Sequence, residues 1–175
     1  DIKKAVTKAD IIFICVGTPT KKNSNSADLK YVFQVAKQIK KFINKYKIII
    51  TKSTVPVTTG DKLEKIFKSK IKNKLVDVVS NPEFLREGEA IKDFTSPDRV
   101  VIGTNSKRAN AKLKSLYFPI IKKTSRYINT SRRGAELIKY ASNAFLATKI
   151  SYINEMANLC EKAGVDIKDV SYGMG

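Results

Sequence analysis

Hydrophobic and polar positions alternate along this chain in two periods. Short, nearly continuous apolar runs occur in "DIIFICVGTPT" (10–20), "KIIITKSTVP" (47–56), "LVDVVSNPEF" (75–84) and "DRVVIGT" (98–104), with a weaker one in "SRYINTS" (125–131). Runs of this length bounded by Gly and Pro predict buried strands that end in turns. Between them the spacing is helical. Residues 27–43 are apolar at 29, 32, 33, 35, 36, 39, 42 and 43, with Asp28 in place as N-cap. Residues 58–69 and 105–120 repeat the pattern, and "TKKNSNSAD" (20–28) is the one clear polar loop. Strands alternating with helices predict an α/β fold, a doubly wound parallel sheet whose strands are apolar on both faces.

After Thr130 the period changes. Residues 131–164 could be helical throughout, for about 30 residues or roughly 45 Å. One apolar stripe runs through Leu137, Tyr140 or Ala141, Ala144, Thr148, Tyr152, Met156, Leu159 and Ala163, and a second through Leu146, Ile150 and Ile153. A helix apolar on two sides is expected to lie buried between two bodies. Gly164 is placed to stop it, and "DIKDVSYGMG" opens another helix. The expected division is a partial nucleotide-binding domain at 1–130, then the long central helix and the start of a second domain at 131–175. The opening "DIKKAVTKAD" reads as the end of a helix, and the chain contains no G-x-G-x-x-G turn.

Composition changes this picture little. No apolar run approaches the roughly 20 residues that span a bilayer. The charged opening has no apolar core behind it, as a signal peptide would. The expectation is a soluble, cytoplasmic protein without membrane contact. Cys15 lies inside an apolar run and Cys160 inside a helical pattern, so both are expected as packed thiols and not as a disulfide. No metal site is expected. The 34 Lys and Arg exceed the 16 Asp and Glu by 18 charges. Only six of the basic residues are Arg, the lysines are scattered, and no segment interleaves aromatics with them as a base-stacking platform would. A solvated basic surface is expected, with no nucleic-acid partner, though its field would favour an anionic small ligand.

Against that charge, four of the 16 acids, Glu83, Glu87, Glu89 and Asp93, crowd into eleven residues. They belong to the third of three loops that follow strand ends: "VGTPT" (16–20), "KSTVP" (52–56) and "SNPEFLREG" (80–88). In a parallel sheet such ends face one crevice, where ligands bind. On the long helix Lys139 and Asn143 are four apart and share a face with Leu146 and Ile150. That pairing reads either as a surface Lys and Asn or as an ammonium and an amide turned into a site.

"ADIIFICVGTPT", "TKSTVPV", "SNPEFLREGEAIKDF", "PDRVVIG" and "AELIKYASNAFLATKISYINEMANLCEKAGVD" occur here in one order. In these words the chain resembles the UDP-glucose 6-dehydrogenases, within the nucleotide-sugar 6-dehydrogenases. The β-hydroxyacid dehydrogenases share a Lys and an Asn four apart on a central helix but lack "NPEFLREG". The resemblance implies an NAD-dependent, four-electron oxidation of UDP-glucose to UDP-glucuronate through a cysteine thiohemiacetal and thioester. It implies cofactor contacts from Val16, Gly17, Thr18, Pro19, Ser53, Thr54 and Glu87. It places Glu83 as acid/base and Thr54 near the hydrolytic water. Phe84, Leu85, Arg86 and Glu87 would lie along the sugar nucleotide. Lys139 and Asn143 would bind substrate and stabilise the developing oxyanion. Glu89 and Asp93 have no such match and are expected as cap and surface charges. The second domain would serve dimerisation, giving a homodimer or higher homo-oligomer. The family's Gly-rich, cysteine-bearing segment has no counterpart here, so the chain is expected to be a central fragment, inactive alone. Another nucleotide-sugar dehydrogenase, of GDP-mannose or UDP-N-acetyl-mannosamine type, and an inactive binding or assembly module are the alternatives.

Overall fold

The structure is a computed structural model that describes residues 1–175. Strands β1 (Ile11–Ile14), β2 (Lys47–Thr51), β3 (Val76–Ser80), β4 (Arg99–Gly103) and β5 (Arg126–Thr130) form one sheet in the order β1-β2-β3-β4-β5. The helices are α1 (Ile2–Lys8), α2 (Lys30–Lys41), α3 (Thr59–Lys72), the short α4 (Ala90–Thr95), α5 (Lys107–Tyr117), α6 (Arg132–Ala163) and α7 (Ile167–Met174). Residues 1–139 make one compact unit and residues 140–175 another.

β2 is buried at all five positions because helices cover both of its faces. Ile49 packs with Val32, Ala36 and Ile39 of α2 and Leu63 and Phe67 of α3. Its neighbours Ile48 and Ile50 point the other way, to Ala109, Leu113 and Tyr117 of α5. This is the period of two of a strand placed between two helical layers, and each such Ile contributes about 1.5–3 kcal/mol by leaving water. The expected doubly wound α/β arrangement is therefore present. Asp28 was expected as the N-cap of α2; the cap is Leu29, and Asp28 stands one residue before it, its carboxylate accepting from Lys30 N at 2.9 Å.

The expectation of an all-parallel sheet needs correction. β1, β2 and β3 are parallel, and so are β4 and β5, but β3 and β4 meet antiparallel through the single pair Ser80↔Gly103. The cause is the connection between them. Its only helix, α4, has six residues and buries none of them. It cannot pack on the sheet and carry the chain back to the opposite edge, as a parallel crossover must. The chain reverses instead, and the same register is followed outside the ladder. Phe84 stacks on Arg99 with the guanidinium 4.1 Å from the ring centroid, and Ser106 bonds Asp77 at 2.8 Å.

β1 departs from the fully buried strand expected. Phe13 is 39 % exposed, and Cys15 is a free, exposed cysteine. β1 is the edge strand, partnered by β2 alone. The expected packed thiol holds only for Cys160, which is buried.

α6 runs for 32 residues, and it ends as predicted at Gly164, which has φ +68°. Gly164 N bonds Glu161 O and Val165 N bonds Cys160 O, which satisfies the last carbonyls of the helix. The expected burial of both stripes is not found. Leu137, Phe145, Leu146, Ile150, Tyr152 and Leu159 are all more than half or about half exposed, because nothing in the chain covers them. No helix is long and apolar enough to cross a membrane.

Candidate active site

The three loops predicted to share a crevice are tied to one another in sequence. β1, β2 and β3 are parallel and end in register, which brings residues 16–20, 52–56 and 81–85 to one edge. Ser53 Oγ donates to Val16 O at 2.6 Å, and Thr18 Oγ1 donates to Thr54 O at 2.9 Å, so the first two loops hold each other's backbone. Thr54 Oγ1 in turn bonds Glu83 Oε1 at 3.3 Å, linking the second loop to the third. A Cβ added at Gly17 would meet nothing within 4 Å, so the space above this turn is open to a ligand. Pro19 is exposed beside it, and Pro19 O accepts from Asp28 N at 2.7 Å.

Glu83 is the meeting point of the site. Lys139, 7 % exposed on α6, places Nζ 2.8 Å from Glu83 Oε1, and Leu85 N donates to Oε2 at 2.8 Å. Burial pushes the carboxyl up, but the Lys139 ammonium, the Leu85 amide and the Thr54 hydroxyl outweigh it and hold Glu83 below the ordinary carboxylate range. The group is thus ionised at neutral pH, already in contact with a hydroxyl and an ammonium. Phe84 lies between two cations, with Arg99 on the ring and Lys139 Nζ 5.4 Å from its centroid.

The remaining predicted residues divide. Leu85, Arg86 and Glu87 are exposed in the turn before α4. Arg86 is held by Asp93, which accepts from Arg86 N at 2.9 Å, Nε at 3.0 Å and NH2 at 2.7 Å. Asp93 is therefore more than a surface charge. It fixes the orientation of the loop that carries Glu83. Glu89 stands at the head of α4 without a side-chain cap bond and pairs with Lys92 at 3.1 Å. Asn143, four residues beyond Lys139 in α6, is exposed. The crowd of acids thus resolves into one buried-side carboxylate, one loop clamp, one ion pair along a short helix and one free side chain, Glu87.

Two groups in the site escaped the sequence reading. Asn81 accepts from Tyr117 OH and from Lys52 Nζ (3.3 Å), while its amide donates to Val101 O at 2.9 Å. Asn81 N also donates to Thr51 O at 2.9 Å. Two residues before Glu83, it anchors the loop to β2, β4 and α5 together. Burial brings Lys52 down to about 8, against the pull of Glu83 and Cys15. The second is Glu136, 3 % exposed. Its oxygens accept from Thr58 N (2.7 Å), Gly60 N (2.7 Å) and Ser80 Oγ (3.1 Å). It replaces a local N-cap for α3, where Thr58 makes no side-chain cap bond. Its position three residues before Lys139, on the same helix face, was the only available signal. Burial pushes the Cys15 thiol up, so it stays protonated at neutral pH and is a poor nucleophile.

Comparison with known proteins places this geometry. Residues 1–121 match the NAD binding domain of the UDP-glucose/GDP-mannose dehydrogenase family, and residues 133–175 match the central domain of the same family. UDP-glucose 6-dehydrogenase of Rhizobium meliloti is 49% identical over 177 residues, which takes in 100% of this chain and 40% of that protein. UDP-glucose 6-dehydrogenase TuaD of Bacillus subtilis is 49% identical, over 100% of this chain and 37% of its own length. A solved UDP-glucose dehydrogenase from Pyrobaculum islandicum superposes with a TM-score of 0.90 at 38% identity, covering 100% of this chain and 40% of that one. GDP-mannose dehydrogenase of Pseudomonas aeruginosa, solved as a ternary complex, gives 0.89 at 35% identity, covering 98% and 40%. The chain spans about two fifths of the length of these relatives. With both domain matches falling in order on the sheet and the long helix that hold Glu83 and Lys139, the chain belongs to the UDP-glucose/GDP-mannose dehydrogenase family.

Proposed function

We propose that residues 1–175 supply the NAD-binding sheet and the acid–base group for oxidation of the primary alcohol of UDP-glucose to the carboxylate of UDP-glucuronate. The observation that carries the reading is the Lys139–Glu83–Thr54 contact, which joins the long helix to the crevice at the strand ends. The residues present fit a dinucleotide. The turn at Val16, Gly17, Thr18 and Pro19 is held open and rigid by Ser53 and Thr54, and Gly17 leaves room for close approach. Glu87, exposed in the neighbouring turn, has its carboxylate available on the same loop. Two NAD molecules, bound one after the other, would each accept one hydride.

The side chains of the chain divide the remaining work. Lys139 and Asn143 are the donors for the negative charge that develops on the oxygen bonded to the reacting sugar carbon. Glu83 is held as a carboxylate by Lys139. As Lys139 turns toward the developing oxyanion, Glu83 loses that partner and gains basicity, and can take a proton from a water near Thr54. Phe84, Leu85 and Arg86 form the wall along the sugar nucleotide. The covalent thiohemiacetal and thioester require a cysteine thiolate. Cys15 is unsuited by its raised pKa, and Cys160 is buried late in α6. Residues 1–130 are assigned to cofactor binding and residues 131–175 to the central helix and a dimerisation domain. The exposed apolar residues of α6 support a homodimer or larger homo-oligomer, formed in the cytoplasm.

A chimera tests the proposal. Residues 1–175 replace the matching span of the Bacillus subtilis relative, and NADH formation is followed with UDP-glucose, GDP-mannose and UDP-N-acetyl-mannosamine. Preference for UDP-glucose is the expected result. Preference for GDP-mannose would favour the second reading, which rests on the 0.89 superposition with GDP-mannose dehydrogenase. A folded chimera without turnover on any of them would leave the binding-module reading in its place.

A further inference from the structure

Beside Lys139 lies a cavity of about 10 Å³ that Glu83 does not line. Five of its lining residues are polar: Thr51, Ser53, Ser80, Glu136 and Lys139. The volume is near the lower bound of what one water occupies, about 10–15 Å³. Thr51 Oγ1 is fully buried on β2 and has no protein partner. A buried hydroxyl in that state is costly, and native interiors seldom leave one.

The hydrogen-bonding capacity around the cavity can be counted. Glu136 Oε1 already accepts two bonds, from Gly60 N and Ser80 Oγ, whereas Oε2 accepts one, from Thr58 N. One lone pair of Oε2 is left. The Lys139 ammonium has three hydrogens and gives one to Glu83. Ser53 Oγ donates to Val16 O and keeps its capacity to accept. We propose that a single water molecule sits in this cavity, held by the Thr51 hydroxyl and shared between Glu136 and Lys139, and that Glu136 acts through it as a positioning residue for Lys139. Such a water accepts from Lys139 and from Thr51, and donates to Glu136 Oε2 and to Ser53 Oγ. The Thr51 hydroxyl and the open lone pair of Glu136 Oε2 then each have a partner, one Lys139 hydrogen is left to face the crevice, and the water makes four bonds, the upper end of the usual range.

The arrangement explains why a carboxylate is buried here. A helix cap alone could come from the Ser, Thr, Asp or Asn that ordinarily precedes a helix. Glu136 reaches α3 from another helix, three residues before Lys139 and on the same face. The one carboxylate thus fixes the α3 terminus and, through the water, sets the direction of the ammonium. The inference depends on the Lys139–Glu83 pair and not on the identity of any substrate.

Thr51→Val removes the hydroxyl while keeping the β-branched shape, and Thr51→Ser restores it. Two readouts apply to the full 175-residue chain without cofactor or substrate. A crystal structure at about 1.5 Å is expected to show the water about 2.8 Å from Thr51 Oγ1. In 15N spectra of the lysine side chains, the Lys139 ammonium resonance is expected to be visible in the unaltered chain and lost by rapid solvent exchange in Thr51→Val. Thr51→Ser is expected to recover it. Glu136→Gln, if it folds, gives the same loss. A dry cavity in the unaltered chain overturns the bridge. A Lys139 resonance unchanged in a folded Thr51→Val overturns the positioning role, whatever the outcome of the turnover assay above.

Discussion

Glu83 is the residue to which the proposed function gives the acid–base step, and its surroundings set its test. In the chimera, Glu83→Gln keeps the side chain's size but cannot accept a proton as a carboxylate does. Loss of a positioned base costs about a hundred- to ten-thousand-fold in the affected step. The variant is expected to release one burst of NADH and then stall as a covalent adduct, visible as a mass increase. Turnover near the normal rate would remove Glu83 from the role and direct attention to Glu87. The pH dependence follows from the direction of the shift. Since Glu83 is held below its ordinary value of 4.5 in the free protein, the acid limb of kcat/KM should fall below that pH. An acid limb above it would mean that Lys139 does not hold the free carboxylate. That Glu83 and Thr54 share one edge was legible from the strand-end loops, and the contact of Lys139 with Glu83 selects the inward of the two readings its spacing left open. Asn81 and Glu136 were not legible, because through-space partners define their roles. Glu136 bonds residues 76 and 78 positions away in sequence.

At the level of elements, periodicity shows where strands and helices lie and which face of each is buried. It carries no information on the direction of β4. That direction was decided by the weakness of α4, whose six residues bury nothing. The reversal produces two joints that can be tested. In the first, α6 starts against the end of β4. A Cβ at Gly103 would stand 2.6 Å from Ala135 Cβ and 2.9 Å from Arg132 Cα, and neither atom can rotate away. Gly103→Ala is therefore expected to cost about 1–3 kcal/mol, as overpacked cores do. A lower urea midpoint with unchanged slope would report it, and an unchanged midpoint would mean that α6 shifts freely. In the second, Asp77 on β3 accepts from Tyr46 OH, Ser106 Oγ and Arg108 Nε at 2.7–2.8 Å. Burial raises its pKa, but Arg108, Tyr46 and Ser106 together bring it below the ordinary value. A carboxyl depressed in the folded state stabilises above its unfolded pKa, and that contribution is lost as pH falls through the folded one. Urea stability measured from about pH 6 to about pH 3 should decline less steeply in Asp77→Asn than in the unaltered chain. Equal slopes would show that the three donors do not select the ionised form.

For the whole molecule the question is what an excess of 18 positive charges does. The acids that matter are sequestered in specific pairs: Asp61 with Arg132 and Arg133, Glu64 with Arg132, Asp77 with Arg108, Asp93 with Arg86. Four of the six arginines are thereby neutralised, and the net excess falls to scattered lysines such as Lys30, Lys37, Lys40 and Lys41 of α2. Lysine makes a hydrated point charge without the planar fork that reads base edges. The aromatic side chains near cations are also spoken for, Tyr46 by Arg108 and Phe84 by Arg99. The pairing leaves lysines as most of the free positive charge, which favours attraction of a polyanion over reading of its bases. Binding to duplex DNA is expected only at low salt. The logarithm of its affinity should fall linearly with the logarithm of salt concentration, at about 0.9 per phosphate neutralised. Fluorescence anisotropy with two duplexes of different sequence, at about 0.05 M and about 0.2 M salt, separates the cases. Equal, weak and salt-sensitive binding to both is the expected outcome. Binding that survives the higher salt and prefers one sequence would show that the lysines form a recognition surface after all.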